Sequence, residues 1–230
     1  MTAAADRDAR HGAGYAAYVF DAYGTLFDVH SAVRRHQQAL GPDHQAFSDL
    51  WRAKQLEYTW VRSLAGRYRD FAALTEEALD VCFARFPKID RSVKGDLLDA
   101  YRRLDCFAEV PAVLSTLRQQ GARIAILSNG TPAMLDEAMA AAGIGALIDA
   151  VFSVDVLAIY KTAPAAYALA TQSLGLEARD IAFQSSNRWD IAGAKAFGFT
   201  CHWINRAGAP DEYPELAPDG VFSTLQGLLA

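Results

Sequence analysis

The side chains with chemistry to offer fall in four short stretches. Asp21 lies in the run Tyr18-Val19-Phe20-Asp21-Ala22-Tyr23-Gly24-Thr25-Leu26-Phe27-Asp28, and the others are Ser128-Asn129, Lys161, and Ser185 to Asp190. A carboxylate backed by apolar residues and faced by loop amides can act as a nucleophile, forming a covalent ester or acyl phosphate that is later released. Pro132, just after Ser128-Asn129-Gly130-Thr131, opens a helix and leaves its first amides free for an anion. Each residue alone has an ordinary use: Asp21 as a turn residue, Ser128 and Ser185 as helix caps, Lys161 as a solvated loop cation. Their joint position carries the argument.

The elements that must supply that position read as alternating strands and helices. The apolar run up to Phe20 predicts a buried strand, broken by Gly24-Thr25, so Asp21 stands where strand gives way to loop. Further strands are predicted over 123–127, 150–153, 181–184 and 200–204, with helices over 110–120, 132–142, 165–174 and up to 197. This alternation implies right-handed crossovers and an α/β fold, a Rossmann-like parallel sheet with helices on both faces. The polar stretches then end strands of one sheet, where parallel sheets place their chemistry. Residues 207–220 read as a surface loop before a final short helix.

Residues 30–107 differ, with helical periodicity and no convincing strand. They predict an inserted α-helical cap domain, giving an organisation of a flexible leader (1–14), a core (15–29 and 108–230) and a cap (30–107). Helices are predicted over 45–68, over 71–86 before Pro87, and over 92–104. In the first, Phe47, Leu50, Trp51, Tyr58, Val61, Ala65 and Tyr68 share one face, expected in the cap's core. Arg52, Leu56 and Trp60 form a second line on another side. That line is covered by a partner subunit, or it roofs a cleft floored by the Asp21 loop, or Arg52 is simply solvated.

A net charge of −5 and the lack of any dense Lys/Arg block argue against a nucleic-acid surface, so attraction for an anion must be local to a pocket. Cys82, Cys106 and Cys201 are odd in number and widely spaced, which points to a reduced, cytoplasmic protein without a structural metal. No apolar run has membrane-spanning length.

The ordered motifs resemble those of the haloacid dehalogenase superfamily, and within it the L-2-haloacid dehalogenases. Asp21 to Asp28 is similar to the nucleophile motif, Ser128-Asn129-Gly130 to the second, Tyr160-Lys161 to the third, and Ser185-Ser186-Asn187-Arg188-Trp189-Asp190 stands for the fourth. Trp51 to Tyr58 resembles the cap helix of the dehalogenase branch. Phosphatases of this fold carry acidic residues where this chain has Tyr23 and Ser186, so a magnesium site and a general acid for phosphoryl transfer are both undercut. Halide leaves carbon with only a cationic or amide cradle to receive it.

The resemblance implies that Asp21 attacks the halogen-bearing carbon of a short 2-haloalkanoate with inversion, and that water hydrolyses the resulting ester. Arg52 and Asn129 receive the halide, while Ser128 and amides near Ala22 and Tyr23 hold the substrate carboxylate. Lys161, oriented by Tyr167 and Ser185, stabilises charge at Asp21; Asn187 and Asp190 position and activate the water; Thr25 joins the catalytic set. Leu56, Trp60, Phe71 and Trp189 form a dry wall, and Tyr167 counts among the substrate-binding residues. No cofactor or metal is implied, and a homodimer is. Two departures from the family pattern are Thr162, where Pro often follows the lysine, and the small Ala53 beside Arg52, which slightly enlarges the pocket. The rival readings are a magnesium-dependent phosphatase of the same fold and a catalytically silent module that holds small carboxylates.

Overall fold

A computed structural model describes residues 14–229. All but the last residue of the expected leader, 1–14, lies outside the described residues. β1 (Ala17–Phe20) is buried along its whole length, as a strand covered on both faces must be. It is followed by β2 (Phe27–Asp28) and then by α1 (Ser31–Arg35), α2 (Gln37–Leu40), α3 (His44–Leu64), α4 (Phe71–Arg85) and α5 (Lys94–Arg102). β3 (Asp105–Cys106) brings the chain back antiparallel to β2, Phe27 opposite Cys106. The remainder alternates: α6 (Val110–Gln119), β4 (Arg123–Ser128), α7 (Pro132–Ala142), β5 (Ala150–Ser153), α8 (Pro164–Leu174), β6 (Ile181–Ser185), α9 (Arg188–Phe197), β7 (Thr200–Ile204) and β8 (Gly220–Phe222).

The sheet has the order β5-β4-β1-β6-β7-β8, with every neighbouring pair parallel. From β1 the chain winds out to β4 and β5 on one side and then to β6, β7 and β8 on the other. Asp21 and Ser185 therefore flank the point where winding reverses, the crevice in which open α/β sheets bind ligands. Local signals set the helix ends. Thr131 accepts the Met134 amide at the start of α7, and Gly143 and Gly175 close α7 and α8 in the left-handed region.

Three expectations need correction. The segment 30–107 is not strand-free, because β3 closes its base against β2. The 207–220 tail is not followed directly by a helix: β8 adds a sixth strand at the sheet edge, and only a 3-10 turn (Leu225–Leu229) comes after it. Gly-Val-Phe was too short to signal a strand on its own. Finally, α3 stops at Leu64, and its buried line is Phe47, Ser48, Trp51, Gln55 and Thr59, with Val61 56% and Leu64 90% exposed. Ala65 is exposed as well.

The reason is that α4 satisfies polar groups in the interface with α3. Trp51 Nε1 donates to the Thr75 carbonyl at 2.8 Å, and Gln55 Nε2 to Thr75 Oγ1 at 2.9 Å. Tyr101 OH donates to Gln55 Oε1 at 3.3 Å, so a glutamine takes a core position that hydrophobic periodicity assigned elsewhere. Among the described residues no helix is long and apolar enough to cross a membrane.

Candidate active site

Asp21 follows β1 directly, and its amide donates to the Gln184 carbonyl on β6 at 2.9 Å, so sheet pairing persists where the carboxylate begins. The chain then turns through Gly24, whose φ of +96° is a conformation L side chains rarely adopt. That turn folds the loop back, with the Leu26 and Phe27 amides donating to the Ala22 carbonyl at 2.9 and 3.0 Å.

The Asp21 carboxylate, 5% exposed, is ringed by donors. Oδ1 accepts from Lys161 Nζ at 3.0 Å. Oδ2 accepts from Asn187 Nδ2 at 2.8 Å, Thr25 Oγ1 at 3.1 Å and Ser185 Oγ at 3.5 Å. The hydroxyls are themselves fixed by amides: Thr25 Oγ1 accepts from Ser186 N at 2.8 Å, and Ser185 Oγ from Asn187 N at 3.1 Å. The loops after β1 and β6 thus hold each other in register around one carboxylate.

Lys161 is fully buried and donates from Nζ to Asp190 Oδ2 at 2.8 Å as well as to Asp21. Its amide donates to Asn129 Oδ1 at 3.0 Å, which ties its loop to the end of β4. Burial acts to lower the lysine pKa, but the Asp190 and Asp21 carboxylates outweigh it and hold the value above the ordinary one, keeping the ammonium charged. Asp190 accepts Tyr167 OH at 2.8 Å on its other oxygen and sits in the first turn of α9. Burial lifts its carboxyl to about 6, against the pull of Lys161 and with the push of Asp21.

From the inserted helices, α3 lowers Arg52 onto this floor. Arg52 NH2 donates to the Tyr23 carbonyl at 3.1 Å and to Asn187 Oδ1 at 3.3 Å. Arg52 is therefore not simply solvated but stands over the Asp21 loop, and farther along the same line Trp60 meets Trp189 edge to face at 5.6 Å. Tyr23 is buried, stacked on Tyr101 at 5.8 Å and against Phe71 at 5.7 Å, and burial raises its hydroxyl pKa well above normal. It offers no carboxylate to a metal. Ser128 Oγ accepts from the Gly130 amide at 3.1 Å. A cavity of about 790 Å³ opens beside Lys161, walled by Trp60, Tyr160, Thr162, Trp189 and Phe197.

Asp21, Thr25, Lys161, Ser185, Asn187 and Asp190 therefore form one hydrogen-bonded network, with Arg52, Asn129 and the Tyr23 carbonyl joined to it. Two expectations change. Lys161 is oriented by Asp21 and Asp190; Tyr167 holds Asp190, and Ser185 holds Asp21 and the Asn187 amide. Tyr167 does not face a substrate either, being fully buried among Phe183, Phe197 and Phe199. A residue absent from the sequence reading is Arg206. It donates to the Thr25 carbonyl at 2.9 Å and lies 3.8 Å over the Phe107 ring while pairing with Glu109. It stands alone after β7 with no motif around it, so nothing in the sequence marked it.

Comparison with known proteins agrees with this arrangement. The sequence model of the haloacid dehalogenase-like hydrolases matches residues 15–198. The chain is 44% identical over 211 residues to an (S)-2-haloacid dehalogenase of Pseudomonas sp. (strain YL), covering 91% of each chain. A solved L-2-haloacid dehalogenase superposes with a TM-score of 0.90 at 44% identity, over 94% of this chain and 97% of that one. The L-2-haloacid dehalogenase of Xanthobacter autotrophicus with chloropropionic acid covalently bound gives a TM-score of 0.83 at 36% identity, over 93% of this chain and 96% of that one. With the family model, the sequence identity and the fold in agreement, this chain belongs to the haloacid dehalogenase-like hydrolases, in the branch of the L-2-haloacid dehalogenases.

Proposed function

We propose that this enzyme hydrolyses short (S)-2-haloalkanoic acids to (R)-2-hydroxyalkanoic acids and halide, through an ester formed on Asp21. The observation that carries the proposal is a single buried carboxylate held by Lys161, Asn187 and Thr25 beneath a cationic roof, Arg52. A fixed, desolvated carboxylate aligned with a carbon centre needs little further activation.

In the first step an Asp21 oxygen bonds to C2 as the carbon-halogen pair departs on the halide, inverting the carbon. Arg52 and Asn129 cradle the halide, and Ser128 with the amides near Ala22 and Tyr23 holds the substrate carboxylate. Leu56, Trp60, Phe71 and Trp189 keep the reacting carbon dry. In the second step water attacks Asp21 Cγ, positioned by Asn187 and giving a proton to Asp190, whose raised pKa suits it to accept one. The ester bond breaks, the departing alkoxide takes the proton back from Asp190 and leaves as the hydroxy acid, the second water proton passes to solvent, and one oxygen of Asp21 now comes from water.

The antiparallel pair β2 and β3 supports reading 15–29 and 108–230 as a core and 30–107 as a cap, joined at that neck. A homodimer and a cytoplasmic location belong to the same proposal, the latter supported by three free cysteines. The test is halide release from each enantiomer of 2-chloropropanoate with a chelator present, followed by mass analysis of the Asp21 peptide after turnover in heavy-oxygen water. The expected result is chloride from the (S) form alone and label on Asp21. Magnesium-dependent release of phosphate from simple esters, or an unlabelled peptide after repeated turnovers, would overturn it.

A further inference from the structure

Gly193 occupies the interior of α9, where glycine weakens a helix relative to alanine, so its presence calls for a reason. Its backbone is helical, and conformational freedom is not that reason. The reason is space. A Cβ at Gly193 would stand 2.4 Å from the Tyr167 hydroxyl oxygen and 2.8 Å from both Cβ and Cγ2 of Thr162.

Tyr167 has no room to yield, and Thr162, though exposed at the cavity, cannot shift without moving the lysine before it. The Tyr167 ring is fully buried against Phe183, Phe197 and Phe199, with centroids 5.9 to 6.1 Å away. Its hydroxyl donates to the Asp190 carboxylate at 2.8 Å and to the Asp190 carbonyl at 3.2 Å. Thr162 is bonded directly to Lys161, whose Nζ sits between Asp21 and Asp190. Gly193 lies three residues after Asp190, on the same side of the helix. One bare patch of α9 backbone thus receives both the tyrosine that holds Asp190 and the residue next to the lysine.

We propose that Gly193 is a positioning residue of the reaction: its missing side chain is the seat that lets the Tyr167 hydroxyl reach Asp190 and the Lys161-Thr162 segment lie against α9. The proposal rests on the reading above, in which Asp190 and Lys161 serve formation and hydrolysis of the Asp21 ester. Nothing in it concerns the substrate directly, since Gly193 acts only through Tyr167 and Thr162.

The test compares chloride release from (S)-2-chloropropanoate by the wild type and by Gly193→Ala. A displacement near 1 Å at reacting groups lowers kcat by up to about 10²-fold, so a loss of roughly 10- to 100-fold is expected. KM should change less than kcat, because Arg52 comes from α3 and touches neither Tyr167 nor Thr162. The acid limb of kcat should move to higher pH as Asp190 loses its donor. A role in helix packing alone would lower Tm and leave that limb in place.

Placing the alanine in a Thr162→Gly/Tyr167→Phe background, which removes the three atoms in its way, should cost nothing further in kcat or Tm. That comparison decides the matter even if Gly193→Ala alone fails to fold. A Gly193→Ala enzyme with wild-type kcat and pH profile, or an equal loss in the relieved background, would overturn the proposal. An inactive wild type would refute the dehalogenase reading instead, while the Tm values of the same variants would still test the seat.

Discussion

Replacing Lys161 with methionine keeps the volume and removes the one ammonium between two buried carboxylates. Its Nζ lies 3.0 Å from Asp21 and 2.8 Å from Asp190, with side-chain exposures of 0%, 7% and 0% for Lys161, Asp21 and Asp190. At an effective dielectric near 20, each contact is worth about 6 kcal/mol before desolvation is counted. The net cost of stripping a buried charge of its partner is about 3–5 kcal/mol, part of which is relieved when a carboxyl takes up a proton. For a chain of this size that corresponds to a Tm lower by roughly 6–20 °C near neutral pH.

The pH dependence gives the sharper test. Lys161 is held above its ordinary pKa, so its contribution is complete below about 10.5 and fades only as pH rises through the folded value. Asp190 is raised to about 6 even with Lys161 present, and without the ammonium burial and the Asp21 charge push it higher. A carboxyl raised in the native state binds protons that the unfolded chain has released, so lowering the pH favours the folded variant. The Tm gap between wild type and Lys161→Met should therefore narrow from pH 7.5 to pH 4.5 in differential scanning calorimetry, while halide release falls by about 10²–10³-fold. A gap that widens on acidification, or none at pH 7.5, would refute the electrostatic account of this centre.

Arg52→Met should lower kcat by about 10²-fold and raise KM by roughly 10-fold in initial-rate assays, with Tm changed by only a few degrees, because Arg52 is half-buried and acts on developing charge. Arg52→Lys should recover only part of that loss. Tyr167→Phe removes a donor that lowers the Asp190 pKa, so the acid limb of the kcat profile should move upward; an unmoved limb would separate Asp190 from the titrating base.

Much of this site could be read from residue order alone, because strand-end chemistry has a local signature. Asp21 directly after four buried residues, Ser128-Asn129 after an apolar run and Ser185 to Asp190 after another each combine a strand with a turn, and the sheet collects them without further information. Arg52 was visible for a different reason, as a polar member of an i, i+4 line with no solvent excuse for its aromatic neighbour Trp60. Less local features escaped. The polarity of the α3 interface depends on Thr75, 20 residues beyond Gln55, and β8 exists because β7 offers it an edge. Which donor holds which oxygen is also non-local: Tyr167 reaches Asp190 rather than Lys161 because Phe183, Phe197 and Phe199 fix its ring. Gly193 looked like any helical glycine until the atoms around it were placed.

The second carboxylate of the centre has a use that a static view obscures. When Asp21 becomes an ester it loses its charge, and a buried Lys161 with no other counterion would be left exposed to the full cost of desolvation. Asp190, at 2.8 Å, remains as its charged partner from ester formation until it takes the proton of the attacking water. In the proposed mechanism the negative charge lost at Asp21 reappears on a halide received by Arg52, a cation that stands within 3.3 Å of Asn187. Bond making at carbon is thus a transfer of one charge from the lysine side to the arginine side, with a fixed cation at each end. Hydrolysis then restores the carboxylate beside Lys161. Phosphoryl transfer spreads charge over three oxygens at one place and calls for concentrated positive charge there. Tyr23 and Ser186 bring no anionic ligand with which to gather it, whereas two separated cations suit the displacement of a halide from carbon.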